Sequence, residues 1–172
     1  MKNGKDFADE IRRTLNQMDA WHHGFDNVGH YLGPKRPADR VACFGGATWL
    51  LELKELRSPR FPFSRLDAHQ ERALLKIASA GGFGLVLVKH IYCASRSRCW
   101  AILIEDFVRL RDSGERKSLP LPAEFDEHSH QECEPGVRYV GRYARNPVRS
   151  GYIYDLEALF HHVMASRSRG TP

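Results

Sequence analysis

Two carboxylates and one amine lie close together in a short part of the chain. Asp39 precedes Glu52 by thirteen residues, and Lys54 follows Glu52 by two in the segment "WLLELKE". Side chains alternate along a strand, so Glu52 and Lys54 would share one face. Mg²⁺ prefers oxygen ligands and binds one or two carboxylates together with substrate phosphate oxygens. The three residues therefore indicate a magnesium site, with Lys54 placed to position or deprotonate an attacking water.

A plainer interpretation of the same residues is a solvated strand face. Glu52 and Lys54 would then form an ordinary ion pair, worth about 0.2–1 kcal/mol at most. What separates the two interpretations is whether Asp39 lies beside the pair.

Two predicted strands joined by a glycine turn would bring the three residues together. Apolar stretches at 39–44 and 47–54 flank Gly45-Gly46, a dipeptide typical of hairpin turns. In a hairpin the start of the first strand lies beside the end of the second. Asp39 is therefore expected next to Glu52 and Lys54.

A helix is predicted over 64–82, "SRLDAHQERALLKIASAGG". Ser64 and Asp67 resemble a capping box at its start, and the Gly-Gly pair is a helix stop. Gln70 lies on the apolar side, four residues before Leu74. A buried amide needs a partner, so Gln70 is either a satisfied structural group or part of a site.

The remaining pattern predicts an α/β chain in the order α-β-β-α-β-β-α. Helices are expected at 5–21, near "DFVRL" and over "DLEALFHHVMAS", and strands at 83–92 and 99–106. Residues 22–38 are expected to form a loop. One domain is expected over 1–166, followed by a disordered tail over 167–172.

Composition is that of an ordinary folded domain. Hydrophobic residues make up 42% of the 172 and charged residues 27%, and no apolar run approaches the roughly 18 residues of a membrane span. The first residues contain no apolar stretch typical of a signal peptide, so an intracellular, cytoplasmic protein without membrane contact is expected. The net charge of +5 would suit a polyanionic partner.

The cysteines predict neither disulfides nor a zinc site. The four cysteines contain no CxxC pair, and thiols are expected in a reducing compartment. The segment "EHSHQEC" places His128, His130 and Cys133 close together, but a fourth ligand at suitable spacing is missing. A polar loop is therefore the preferred interpretation.

The order of these segments resembles the PD-(D/E)XK nuclease superfamily, and within it the RecU-type Holliday junction resolvases. Asp39 with Glu52-Leu53-Lys54 is similar to the D…(E/D)xK signature, and "FPFSRLDAHQ", "ASAGGFGLVLV" and "WAILIEDFVRL" follow in the family's order. The resemblance covers about residues 37–120 well and the ends loosely. It implies a restriction-endonuclease-like α/β fold, with a mixed β-sheet core flanked by helices.

The resemblance also implies roles for individual residues. Asp39 and Glu52 would bind Mg²⁺, with Mn²⁺ as a possible substitute, helped by the main-chain carbonyl of Leu53. Lys54 would be the catalytic lysine, and Gln70 would point at the site. The family often carries a glutamate on the first helix.

At the matching place on that helix this chain has Ala8, with Asp9 and Glu10 just beyond. Whether one of these acids completes a second metal site is left open by the sequence.

Basic residues near the predicted site are candidates for DNA binding. They are Arg57, Arg60, Arg65 and His69 directly after it, and Arg138, Arg142 and Arg145 among tyrosines further on. Arginine contacts phosphates, and aromatic rings stack on bases.

The expected function is metal-dependent resolution of four-way DNA junctions by symmetric nicking, in recombination and repair, by a homodimer. The alternatives are another PD-(D/E)XK nuclease acting on duplex DNA, or a DNA-binding protein with a degenerate nuclease site.

Overall fold

Helices cover a mixed β-sheet in this protein. The computed structural model describes residues 5–25, 35–93, 96–121, 132–134, 136–143 and 153–169. The helices are α1 (Lys5–Gln17), α2 (Ala68–Ser79), α3 (Ile104–Asp112) and α4 (Leu156–Arg169). The strands are β1 (Trp21–Gly24), β2 (Arg40–Phe44), β3 (Ala47–Leu56), β4 (Arg60–Pro62), β5 (Phe83–Cys93), β6 (Arg96–Leu103), β7 (Ser118–Pro120), β8 (Glu132–Glu134), β9 (Val137–Val140), β10 (Arg142–Tyr143) and β11 (Ile153–Tyr154).

Seven of the described strands form one sheet in the order β1-β2-β3-β5-β6-β9-β8. Strands β3 and β5 are parallel and are connected through α2, while the other neighbours are antiparallel. A parallel pair needs such a crossover, and α2 supplies it. The predicted α/β class, a mixed sheet flanked by helices, is confirmed.

The sheet separates two hydrophobic cores because alternate residues of β5 point to opposite faces. Leu85 and Leu87 pack with α1 and α4, and Val86 and Val88 pack with α2 and α3. Strand β3 lies between β2 and β5 and is covered on both faces. A charged side chain on β3 that points toward α2 is therefore buried.

The predicted hairpin is present, and its turn is the Gly45-Gly46 pair. Both glycines have positive φ, +60° and +77°, which is the backbone conformation that tight hairpin turns require. Arg40 pairs with Leu51, so β3 extends past the point where β2 begins. The last residues of β3 consequently have no strand partner on the β2 side.

A glycine on β5 allows α2 to lie close to the sheet. A Cβ atom at Gly84 would come within 2.5 Å of the Leu74 carbonyl oxygen and 2.8 Å of Ile104 Cγ2. No side chain fits at that separation. The close approach holds the first turn of α2, with Gln70, directly over β3.

Three predicted boundaries are wrong. The first helix ends at Gln17, and Asp19, two residues later, has a positive φ of 54°. The segment expected to be a loop begins with the edge strand β1. Helix α2 begins at Ala68, because Asp67 rather than Ser64 is its N-cap. The expected disordered tail is helical through Arg169.

The second strand of the later pair also differs from its prediction. Strand β6 starts at Arg96 and ends at Leu103, and Ile104 already belongs to α3. The helix expected near "DFVRL" is α3 itself. The end of α2 before Gly81, which has a φ of +90°, is confirmed.

The described cysteines are thiols, as predicted: Cys43 and Cys93 are exposed and Cys99 is buried. His128 and His130 and the side chain of Cys133 lie outside the described residues. Within the described ranges, no helix combines the length and apolarity needed to cross a bilayer.

Replacement of Gly84 by alanine should destabilise the fold by about 1–3 kcal/mol, because the added methyl group overpacks the contact between α2 and β5. Urea unfolding followed by circular dichroism measures the change. Gly24→Ala is the matched control, since its Cβ would meet only the end of the Arg40 side chain. Its effect should stay within about 0.5 kcal/mol. Equal stability of Gly84→Ala and the unmodified protein would contradict the packing account.

Candidate active site

The carboxylate of Glu52 lies in the interior of the protein. Glu52 is 1% exposed, and its side chain points from β3 toward α2. Oε1 accepts hydrogen bonds from Gln70 Nε2 at 2.7 Å and from Lys54 Nζ at 2.9 Å. Oε2 is also buried and accepts no hydrogen bond from the described residues. A buried charged oxygen without a protein partner is costly, so this atom is a candidate to bind a ligand.

Asp39 reaches the same place from the start of β2. Its Oδ2 accepts the main-chain N–H of Leu53 at 2.7 Å, and its own N–H donates to the Leu51 carbonyl at 3.1 Å. Leu53 lies beyond the point where β2 begins, so the side chain replaces a missing strand partner. The N–H and C=O of one strand residue point to the same edge, so the Leu53 carbonyl also faces the Asp39 side.

Gln70 connects the helix to the carboxylate. It is 5% exposed, and besides its bond to Glu52 its Oε1 accepts from Lys54 Nζ at 3.1 Å and from the Asp67 N–H at 3.2 Å. The amide orientation follows from these bonds, because nitrogen faces the carboxylate and oxygen faces the ammonium. The structure shows Gln70 as a satisfied amide that lies beside Glu52 and Lys54, so both possibilities that the sequence left open for it remain compatible with its contacts.

The ion pair with Lys54 does not fully compensate the burial of Glu52. Burial first, and then the charge of Asp39, raise the pKa of Glu52 to about 7 against the opposing effects of Lys54 and Arg36. The positive charge near the carboxylate is therefore too small to offset the cost of burying it.

These residues fit a hard divalent cation. Among the described residues there is no group of three or more histidine, cysteine, aspartate or glutamate side chains that could hold a metal. The cluster has only two of these side chains, Asp39 and Glu52, and adds the main-chain carbonyl of Leu53. This set of oxygen ligands suits Mg²⁺ better than zinc. Glu52 Oε2, Asp39 and the Leu53 carbonyl would hold the ion, which would supply Lewis-acid stabilisation of negative charge on a phosphate.

Lys54 is placed to act beside such an ion. Its ammonium has three N–H donors, of which the bonds to Glu52 and Gln70 use two. The third can bind a phosphate oxygen or the attacking water. The hydrogen bonds that Lys54 donates to Glu52 and Gln70 fix the position of Nζ before substrate arrives.

The first-helix acids do not reach this cluster. Glu10 is buried and accepts from Lys89 Nζ at 2.6 Å and from the Tyr154 hydroxyl at 2.9 Å. Lys89 lies on the face of β5 opposite to the one that α2 covers, so Glu10 and Glu52 are on opposite sides of the sheet. Asp9 is half-exposed and pairs with Arg12 at 3.5 Å.

Some of the predicted DNA-binding residues lie beside the cluster. A groove of about 610 Å³ begins at Glu55, directly after Lys54 on β3, and Arg57 and Arg65 line it. Arg65 donates to the Glu55 carbonyl at 3.0 Å. The groove thus begins one residue after Lys54 along β3, and two arginines are part of its lining.

Arg60, His69 and Arg138, which were also predicted to bind DNA, do not line this groove. Arg60 is exposed and donates to Ser118 on β7, and His69 lies half-buried in the first turn of α2. Arg138, on β9, forms an ion pair with Asp106 at 3.1 Å. Strand β9 is three strands from β3, so Arg138 is about 14 Å from β3 across the sheet. The side chain of Arg142 and all of Arg145 lie outside the described residues.

Arg36 was missed by sequence reasoning. Its Nη2 lies 3.0 Å from Asp39 Oδ1, three residues along the chain. The spacing alone carries no signal, because it depends on how the loop around Pro37 folds.

Known proteins give little guidance. No model of a protein family matches the chain, and no curated protein does. Among solved structures, the chain is similar to Hjc, a Holliday junction resolvase from the archaeal hyperthermophile Archaeoglobus fulgidus. The chains are 18% identical, the match covers 59% of this chain and 78% of that chain, and the TM-score is 0.46. A similarity this low assigns no residue roles, so function must be inferred from the chain's own site.

Glu52→Gln should stabilise the metal-free protein at pH 8 by an amount on the order of 2 kcal/mol. The folded state raises the pKa of Glu52 from 4.5 to about 7. The stability contributed by its neutral form is therefore complete below pH 4.5 and is lost as pH rises through 7. The gain from the substitution should shrink accordingly between pH 8 and pH 5.5. Urea unfolding in EDTA at both pH values measures it.

Glu157→Gln, on the exposed first turn of α4, is the control and should change stability by less than about 0.5 kcal/mol at either pH. If Glu52→Gln instead destabilises the protein equally at both pH values, the buried carboxylate is net stabilising and needs no cation.

Proposed function

We propose that this protein is a Mg²⁺-dependent endonuclease that resolves four-way DNA junctions. One observation carries the proposal: Asp39, Glu52, Lys54 and Gln70 lie together, and Glu52 Oε2 is buried there without a hydrogen-bond partner among the described residues. Two carboxylates with an adjacent lysine suit phosphodiester hydrolysis. Water would bond to phosphorus as the bond to the 3′ oxygen breaks, leaving 5′-phosphate ends.

The surface beside the cluster supports a nucleic-acid substrate. The groove that begins after Lys54 carries Arg57 and Arg65, both exposed, and could receive the backbone of the strand to be cut. The net charge of +5 favours the same class of partner.

Junction specificity and dimerisation rest on the resemblance of the sequence to RecU-type resolvases. The proposed site would hold one scissile phosphate, and symmetric nicking of a four-way junction needs two such sites. A homodimer related by a two-fold axis would supply them. Mn²⁺ should replace Mg²⁺, because it accepts the same oxygen ligands.

A DNA-binding protein with a degenerate nuclease site is the second candidate. The position of Glu10 favours it, since that acid lies across the sheet and leaves two carboxylates at the cluster. Metal binding distinguishes the two candidates.

Mg²⁺ should raise the melting temperature of the unmodified protein, and Asp39→Asn should abolish that increase, because a cation that binds only the folded state stabilises it. Differential scanning fluorimetry over a Mg²⁺ titration, with Mn²⁺ in parallel, measures the effect. Asp9→Asn removes an exposed carboxylate on α1 and should leave the increase unchanged. An increase that persists in Asp39→Asn would place the cation elsewhere.

Purified protein should nick a synthetic four-way junction symmetrically in Mg²⁺. Glu52→Ala and Lys54→Ala should lower the nicking rate by at least about 10²-fold, because each removes charge stabilisation at the reacting phosphate. Both should bind the junction within a few-fold of the unmodified protein. Denaturing gels of end-labelled strands and a mobility-shift assay provide the two readouts.

Lys76→Ala, on the exposed last turn of α2, is the matched lysine control and should nick at the unmodified rate. Equal cleavage of plain duplex would reject the junction assignment and keep the nuclease. Full activity of Lys54→Ala would reject this site.

A further inference from the structure

Arg36 forms an ion pair with one of the two carboxylate oxygens of Asp39. Its Nη2 lies 3.0 Å from Oδ1, while Oδ2 is taken by the Leu53 N–H. The Arg36 side chain is 36% exposed and that of Asp39 16% exposed. The guanidinium therefore lies at the solvent side of the cluster, over the carboxylate.

The remaining oxygens determine where a divalent cation can bind. Glu52 Oε1 is shared by Lys54 and Gln70, whereas Oε2 has no partner among the described residues. A cation that binds Oε2 and also Asp39 would use Oδ1, where Arg36 is bound, or the second lone pair of Oδ2, and in either case it would lie next to the Arg36 guanidinium. Two cationic groups on one carboxylate repel each other in a partly buried site. Metal and guanidinium consequently compete.

The Arg36 contact is of a kind that is easily exchanged. Arg36 is the more exposed member of the pair, so solvent partly screens its charge, and its long side chain loses freedom in forming the contact, which reduces the net stabilisation. The guanidinium fork also matches the oxygens of a phosphate, with which it can form two parallel hydrogen bonds. A released Arg36 would lie at the entrance of a site that needs to hold a DNA phosphate.

We propose that Arg36 is a displaceable counter-ion of Asp39 and a positioning residue for the DNA backbone. It neutralises Asp39 in the metal-free protein, yields Oδ1 to the divalent cation, and then binds a phosphate of the substrate strand. DNA and metal thereby assist each other, because a phosphate that binds Arg36 frees Asp39 and a cation that binds Asp39 frees Arg36. This inference rests on the proposed function.

The test is Mn²⁺ affinity without DNA, measured by isothermal titration calorimetry on the full chain. Arg36→Gln removes the competing cation and should tighten Mn²⁺ binding by about 3- to 10-fold. If Arg36 merely supported the fold of the loop before Asp39, its replacement would instead weaken Mn²⁺ binding. Arg36→Lys keeps the positive charge and should bind Mn²⁺ within about 2-fold of the unmodified protein.

The second readout is junction affinity in Ca²⁺, a divalent cation chosen to limit cleavage during the measurement. Arg36→Gln should weaken junction binding several-fold, and Arg36→Lys should weaken it less, because lysine contacts phosphate only as a point charge. Arg12→Gln is the matched control, since Arg12 forms an exposed pair with Asp9 at the same three-residue spacing. It should change neither affinity by more than about 2-fold.

Unchanged or weaker Mn²⁺ binding by Arg36→Gln, in protein whose circular dichroism is unaltered, overturns the inference. If Arg36→Gln does not fold, tighter Mn²⁺ binding by Arg36→Ala supports it, and unchanged binding overturns it. Asp39-dependent Mn²⁺ binding with no effect of Arg36 leaves the proposed nuclease standing and rejects only this role. Absence of Mn²⁺ binding in the unmodified protein overturns both.

Discussion

A buried carboxylate, one of whose oxygens has no hydrogen-bond partner in the described part of the chain, is the constraint on which this site depends. Glu52 lies on a strand covered on both faces, so its charge cannot be solvated. Lys54 and Gln70 satisfy one oxygen and leave the other, and burial holds the pKa of Glu52 near 7. A fold that only needed stability would place an apolar residue there. The unfavourable position is explained if a cation completes it.

Two features of the scaffold make the arrangement possible. Strand β2 begins one residue after Asp39, so the aspartate side chain takes over a hydrogen bond that the strand would have made to Leu53. Gly84 allows α2 to approach the sheet closely enough for Gln70 to reach Glu52. The acid cluster is thus built where strand β2 and helix α2 begin, and two of its contacts, from the Leu53 N–H to Asp39 and from the Asp67 N–H to Gln70, also order the local backbone.

Local sequence patterns predicted the hairpin and the helix that position the site. They could not predict contacts between residues far apart in the chain. The Gly45-Gly46 turn fixed the hairpin register, and helical spacing turned Gln70 inward, as observed. Strand β1 was missed because "WHHG" has no apolar alternation and is ordered by pairing with β2. The burial of Glu10 was not predictable either, because its partner Lys89 is 79 residues away.

The most direct test of the central claim is an anomalous diffraction experiment on crystals of the protein grown or soaked with Mn²⁺. The account predicts one anomalous peak bonded to Glu52 Oε2 and to a carboxylate oxygen of Asp39, with the Arg36 guanidinium moved off that carboxylate. A peak at other residues, or none while Glu52 Oε2 stays buried and unbonded, would contradict it.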